Sequence, residues 1–279
     1  MDYFKKKRDA SVKRTVAFVI AHPDDECMFF TPTILHYKRM EYNIIVLCIS
    51  SGNQAGLGRF RSIELVKSCN ELGIPGKNVI VIDWPTLQDG MDQHWTAADV
   101  ASLLEEMTTR YAVDEIVTFD EWGVSGHPNH CDTHRGVIQF LQNYQQARSK
   151  NLPHTHRKQV EDQKQNKTAG QMKEIRGYKL ETVGIIRKYI GIWDIWVSKL
   201  FGAIDGDSYH AKHNNSTDSS SSSHSNSNPT IMYTSTQLFP PCSYDPMKQH
   251  QTQLVWFRYL FIFLSRYSYI NTLTEIKLN

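Results

Sequence analysis

Thr15-Val-Ala-Phe-Val-Ile-Ala-His-Pro-Asp-Asp-Glu26 decides the fold of this chain. Its first half, Thr15 to Ile20, is a compact β-branched run without polar alternation, the pattern of a strand buried on both faces. Its second half turns at once to imidazole and carboxylate side chains. Further short runs follow at 44–48, 79–82 and 115–119, with helical patterns between them. Glu26 to Met40 reads as a helix that Pro32 must break or kink. Arg59 to Leu72 reads as a helix with Ile63, Val66 and Cys69 inward and Gly73 as its stop. Thr96 to Tyr111 opens with a capping-like Thr96-x-x-Asp99 and turns Val100, Leu103, Leu104, Met107 and Tyr111 inward. Another helix starts near Pro128 and runs to about Gln145. This alternation predicts an α/β domain: a Rossmann-like, doubly wound, mostly parallel sheet with helices on both faces, followed by a C-terminal helical extension. In such sheets ligands sit beyond the carboxyl ends of the strands. Chemistry is therefore expected just after each run.

Two of those places are rich in metal-ligating side chains. Ala21-His-Pro-Asp-Asp-Glu26 follows the first strand, and Asp120-Glu-Trp-Gly-Val-Ser-Gly-His-Pro-Asn-His130 follows the fourth. Imidazole and carboxylate together suit zinc and similar divalent ions. A hydrolytic metal needs three protein ligands and an open position, and His22, Asp25 and His130 supply that set. Adjacent Asp24 and Asp25 cannot point the same way, so Asp24 is left to face the attacking water as general base. His127 is placed to approach the reacting carbonyl from the other side, as an imidazolium that stabilises the oxyanion and protonates the leaving amine. Taken singly, Asp-Asp after a strand is turn or N-cap chemistry and His-x-x-His a surface accident. Their joint position at two strand ends gives them weight. His134 reads as surface helix or support for the site, and His36 and His94 as ordinary helix-face and loop residues.

The 279 residues, 40% of them hydrophobic, allow one sizeable core or one core with an appended lobe. With 31 basic against 29 acidic residues, no global field favours nucleic acid. The five cysteines, an odd number without a C-x-x-C pair, argue against a disulfide framework. Cys27, Cys48 and Cys69 read as small core residues, as in a reducing compartment. The divisions expected are a basic tail (1–14), the catalytic core (15–145), a flexible Gln/Lys/His-rich insertion (146–173), a strand and amphipathic helix (174–204), a disordered Ser/Asn-rich insertion (205–229) and a C-terminal strand with an apolar helix (230–279). In the tract, His210, His213 and His224 read as compositional. The basic run Lys5 to Arg8 reads as a solvated tail or as a segment facing anionic lipid. No signal peptide is visible, and no run reaches the ~20 apolar residues of a spanning helix. Two apolar stretches leave alternatives open. Ile185 to Phe201 fits an interfacial helix or one packed on the sheet. Leu254 to Ile270, apolar nearly all round, fits core better than membrane or partner contact.

Ala21-His-Pro-Asp-Asp-Glu26 and Gly126-His-Pro-Asn-His130 closely resemble the two signatures of the LmbE-like, or PIG-L-like, de-N-acetylases. Ser51-Gly-Asn53, Arg61-Ser-Ile-Glu64 and Glu71-Leu-Gly-Ile74 fit the same pattern, so the resemblance covers about residues 15 to 145. It implies metal ligation by His22, Asp25 and His130, a general base in Asp24, and an acid or electrophile in His127. It also implies substrate contact by Arg61 and Asn53, although Arg61 fits equally a pairing with Glu64 or a loop cap. The stretches 185–190 and 250–267 resemble the eukaryotic branch, which acts on N-acetylglucosaminyl-phosphatidylinositol in GPI-anchor synthesis. That implies a glycolipid substrate, the membrane surface, and the cytosolic face of the endoplasmic reticulum. Family members commonly have an N-terminal spanning helix, which this sequence lacks. The competing readings are a soluble deacetylase of a small GlcNAc conjugate and a non-catalytic relative that binds a glycolipid or a partner. A nucleotide-binding dehydrogenase is disfavoured, because no G-x-G-x-x-G follows the first strand.

Overall fold

A computed structural model describes residues 13–150, 173–215 and 229–278. Most of the basic tail, residues 151–172 of the expected insertion, and 216–228 of the Ser/Asn tract with His224 lie outside the described residues. β1 (Thr15–Ile20) leads into α1 (Asp25–Phe29) and α2 (Thr31–Arg39). β2 (Asn43–Cys48) precedes α3 (Gly58–Glu71), and β3 (Val79–Val81) precedes α4 (Ala97–Tyr111). β4 (Glu115–Phe119) is followed by the short turn α5 (Gly123–Gly126) and the long α6 (Pro128–Lys150). β5 (Arg176–Leu180) is followed by α7 (Ile185–Tyr189) and α8 (Asp194–Leu200). Then come β6 (Ile204–Asp205), α9 (Gly206–Asn215), β7 (Thr230–Thr234), α10 (Tyr244–Lys248), α11 (Trp256–Leu264) and β8 (Ile270–Glu275).

All these strands join one eight-stranded sheet in the order β3-β2-β1-β4-β5-β8-β7-β6. The first five are mutually parallel, β8 runs antiparallel to β5 and β7, and β6 is parallel to β7. The C-terminal part thus adds strands to the sheet as well as helices. β1 and β4 are buried at every residue, which explains why apolar side chains fill most of their positions without polar alternation. From β1 the chain winds outward to β2 and β3, then returns to β4 and winds the other way to β5. Right-handed crossovers put α2 and α3 on one face and α4 and α6 on the other. Gly136 lets α6 approach α4, since a Cβ there would lie 2.3 Å from Val100. The winding reverses between β1 and β4, whose carboxyl ends lie side by side. This is the topological switch point, where an open sheet leaves a crevice.

Several expectations change in the structure. The helix expected over 26–40 breaks at Phe30, and Pro32 sits in the first turn of α2, where its missing N–H costs nothing. α3 buries Arg61, Glu64, Leu65, Ser68 and Cys69, while Ile63 faces solvent. Its inner face is polar because it meets Glu26 and Thr252: Ser68 donates to Glu26 at 2.5 Å, and Thr252 donates to Glu64 at 2.6 Å. α6 runs on to Lys150, past the expected end of the core. The stretch 185–201 is two short helices joined by a turn at Gly191–Trp193, not one helix. The expectation that 254–270 is core fails for its helix, because within α11 only Ile262 is buried. Residues 206–215 of the expected insertion are helical. His210 there is buried against Tyr233, 3.0 Å from its hydroxyl, so it is a packing residue. His36 is buried beside both, with its ring 4.6 Å from that of Tyr233 and 5.3 Å from that of His210.

Candidate active site

The turn after β1 is held by its own carboxylates. Asp25 folds back so that Oδ2 accepts the backbone N–H groups of Ala21 and His22, at 3.0 and 2.8 Å. Its other oxygen, Oδ1, lies 3.3 Å from Nε2 of His130. Asp24 enters α1 with φ 116° and ψ −20°, a conformation that L-residues adopt only when their surroundings impose it. What imposes it here is Glu26, whose Oε2 accepts the Asp24 N–H at 3.1 Å. Glu26 is in turn fixed by Ser68 and by His250, whose Nε2 lies 2.7 Å from Oε1. Burial disfavours that pair's charges, but each partner's charge outweighs it. The carboxyl of Glu26 is held below, and the imidazole of His250 above, its ordinary value.

The loop after β4 is strained as well. Val124 has φ 67°, an unfavourable value for a β-branched residue. Asp120 organises the loop by accepting from the N–H groups of Trp122 and Gly123 and from the hydroxyl and N–H of Thr182. Thr182 then accepts from the Val124 N–H at 2.8 Å, and the buried ammonium of Lys188 donates to the Val124 carbonyl at 2.6 Å.

These two strand ends bring three imidazoles together. The ring of His22 lies 4.7 Å from that of His127 and 5.3 Å from that of His130, and candidate ligand atoms of all three fall within 4.8 Å of one another. The hydrogen bonds fix their tautomers. Nδ1 of His130 donates to the Gly123 carbonyl at 3.0 Å, which leaves the Nε2 lone pair facing Asp25. Nε2 of His22 faces two acceptors, Asn129 Oδ1 at 3.1 Å and Asp89 Oδ1 at 3.0 Å, while its Nδ1 lies 3.9 Å from Asp25 Oδ2. Two bare nitrogens thus flank one carboxylate at separations of 3.3 and 3.9 Å. Ligands of a tetrahedral zinc ion stand about 3.4 Å apart. The donor set fits a divalent ion. His127 differs: its Nδ1 accepts the Asn129 N–H at 3.3 Å, so Nε2 carries the proton. Burial and the neighbouring His22 and His130 push its pKa down to about 4. The resting group is a neutral imidazole with an N–H to donate, rather than the imidazolium expected from the sequence. Burial also works against charge on His22, but hydrogen bonding to Asp89 and the nearby carboxylates outweigh it and raise its pKa. For Asp25 the neighbouring His130 and His22, with the backbone N–H bond from His22, outweigh burial and hold its carboxyl far below the usual range.

The group opens into a cavity of about 390 Å³. Asp24 lies on its wall between two guanidinium groups, Arg61 at 3.5 Å and Arg258 at 3.0 Å. Arg61 is buried and also donates to the carbonyls of Gly52 and Pro23 at 2.8 and 2.7 Å. It is a loop clamp that reaches the cavity, and it does not pair with Glu64. Gly52 is needed for the clamp, because it has φ 70° and a Cβ there would lie 2.3 Å from the guanidinium. Asn53 does not line the cavity; its side-chain oxygen accepts the Gly58 N–H at 2.9 Å at the start of α3, and its neighbour Gln54 takes the wall position. His134 is buried, with Nδ1 donating to the Phe119 carbonyl at 2.9 Å, and His94 is exposed.

A family model described as "PIG-L: GlcNAc-PI de-N-acetylase" matches residues 17–141. A probable N-acetylglucosaminyl-phosphatidylinositol de-N-acetylase of Dictyostelium discoideum is 45% identical over 266 residues, 95% of each chain. The chain belongs to the PIG-L family. A Bos taurus member named N-acetylglucosaminyl-phosphatidylinositol de-N-acetylase is 32% identical, covering 91% of this chain and 81% of its own. Among solved structures, a deacetylase of the teicoplanin pathway superposes with a TM-score of 0.56 at 10% identity, over 94% of this chain and 97% of that one, a likeness of fold. In this PIG-L family chain, Asp89, Arg258, Lys188 and His250 reach or brace the site without having been singled out as site residues in the sequence. Only Arg258 left a signal, as a lone charge in an apolar run.

Proposed function

We propose that this chain hydrolyses the acetamide of N-acetylglucosaminyl-phosphatidylinositol, releasing acetate and leaving glucosaminyl-phosphatidylinositol for GPI-anchor synthesis. The observation that carries this reading is the convergence of His22, Asp24, Asp25, His127 and His130 on one cavity, in a chain 45% identical along its length to a relative named for that reaction. His22, Asp25 and His130 would hold a divalent ion, most simply zinc. When bound, the ion supplies Lewis acidity and a water of lowered pKa. Asp24 takes the proton from the attacking water as the new C–O bond forms. The Nε2–H of His127 donates to the carbonyl oxygen as charge develops there. Asp24 then returns the proton to the amine nitrogen as the C–N bond breaks. Arg61 and Arg258 hold the Asp24 carboxylate in place and present positive charge to the phosphate of the substrate. Such a substrate puts the enzyme at the cytosolic face of the endoplasmic reticulum membrane. No helix of the described residues is long and apolar enough to cross a membrane.

The test is acetate release from N-acetylglucosaminyl-phosphatidylinositol by the purified chain, before and after metal is stripped and zinc restored. Release that disappears on stripping and returns with zinc is expected. A zinc-loaded protein that releases none would overturn the reading.

A further inference from the structure

Two apolar segments meet at the mouth of the cavity, and both turn their apolar sides outward. In the first, 185–204, Ile186 is 77% exposed, Trp193 and Trp196 70% each, and Leu200 84%. In the second, α11, Trp256 is 74% exposed, with Phe257, Leu260 and Leu264 about half exposed. The segments touch: α7 packs on α11, and the rings of Tyr189 and Phe261 lie 6.3 Å apart. Each also contributes to the cavity wall, Lys188 and Tyr189 from one and Arg258 and Phe261 from the other.

Apart from the exposed Lys199 and the half-buried Arg187, the polar side chains of the first segment are turned inward. Asp194 is fully buried, with one oxygen 2.8 Å from Arg187 and the other 2.7 Å from the buried guanidinium of Arg266, and Ser198 bonds to Asp194 and Arg187. This inner network fixes which way the segment faces. Turning the segment over would pull Asp194 away and leave the buried guanidinium of Arg266 without its partner, so the apolar side stays outward. A water-facing surface seldom carries a continuous apolar patch of this kind. Charge selects the occupant. Asp194 is the one acidic residue of the two segments and is held inside between Arg187 and Arg266. Lys188 is buried and Arg258 pairs with Asp24, so the charge left at the outer side is basic, with Lys199 5.7 Å over the Trp196 ring and Arg187 5.5 Å over the Phe201 ring. Tryptophans and bulky aliphatics edged by basic groups suit an anionic lipid interface.

The geometry points to a monotopic docking surface: 185–204 and α11 insert into the headgroup region of an anionic bilayer leaflet and set the cavity mouth against it. This inference deepens the reading of the site given above, because a substrate anchored by acyl chains would enter from the leaflet without leaving it. A second copy of the chain or a protein partner is the competing occupant.

The test separates binding from turnover. The full chain is floated with vesicles of phosphatidylcholine alone and with phosphatidylinositol added, and tryptophan emission is followed. The expected result is co-flotation that strengthens with phosphatidylinositol, with a blue shift. The triple variant Trp193→Ala/Trp196→Ala/Trp256→Ala is expected to lose partitioning at least about tenfold. A second variant, Leu200→Ser/Leu260→Ser, should behave alike, with circular dichroism confirming that both fold. Both should deacetylate an acyl-free GlcNAc-inositol phosphate at the parental rate and the vesicle-borne substrate at least about tenfold more slowly. A parental chain that stays in the aqueous fraction overturns the inference, as do folded variants that float as well as the parent. So does concentration-dependent dimerisation, abolished by the same substitutions, in the absence of vesicle binding. Absence of deacetylation with either substrate would sink the catalytic reading and leave the flotation result standing.

Discussion

Asp24 is the residue on which the site's chemistry turns, and its roles can be separated by substitution. The carboxylate reaches into the cavity from a strained backbone, whereas the proposed ligands His22, Asp25 and His130 are held by other hydrogen bonds. Asp24→Asn should therefore keep the metal, measured as bound zinc per chain, while turnover drops about 10²–10⁴-fold. His127 presents its N–H without belonging to that set. His127→Gln should lower kcat about 10²–10³-fold with little change in KM or in zinc content, read by steady-state kinetics beside metal analysis. Parental turnover in either variant would remove the role assigned to that residue. That these five residues share one cavity was legible in the sequence because they lie in the two connections that follow β1 and β4. Arg258 and Asp89 were not, because what brings them to Asp24 and His22 is tertiary approach across long sequence separations.

Among the elements, those of the parallel sheet were the easiest to read. β1, β2 and β4 are mostly apolar because both faces are covered, and α4 shows its stripe and its Thr96 cap, whose side chain accepts from the Asp99 N–H at 3.1 Å. α3 misled, because periodicity marks Ile63 as inward while the face it buries is polar. α11 misled in the opposite sense, and for 185–201 the sequence left the facing open. Amphipathy tells which residues share a side, but the Asp194–Arg266 contact decides which side faces inward. The α10–α11 connection has its own tether in His250, which is fully buried against Glu26. Removing one member of such a pair leaves the other as a buried, unpaired charge. His250→Ala should cost about 3–5 kcal/mol in denaturant unfolding and depress turnover through the Asp24 turn. A midpoint unchanged from the parent would show that the tether carries no weight.

For the whole molecule, the joint between the N-terminal and C-terminal parts of the sheet makes stability depend on pH. His36 on α2 is packed against Tyr233 of β7 and His210 of α9. Burial and the charge of His210 push its pKa down to about 4, against an ordinary value near 6.5. The unfolded chain therefore takes up a proton more readily than the folded one between those values. Stability is full above about pH 6.5 and falls as pH drops toward 4, by about 1–3 kcal/mol. Unfolding midpoints between pH 7 and pH 4 should show this fall, and His36→Gln should flatten it; an unflattened curve would assign the acid sensitivity elsewhere. The position of β8 has a consequence for synthesis. The parallel strands β1 to β5 are complete once residue 180 has been made, but β6 and β7 join them only through β8. A growing polypeptide must therefore carry five of the eight strands, with one side of β5 open, until residues 270–275 leave the ribosome. Over that interval of roughly 90 residues the unpaired edge invites mispairing, and nascent-chain chaperones are the natural guard against it.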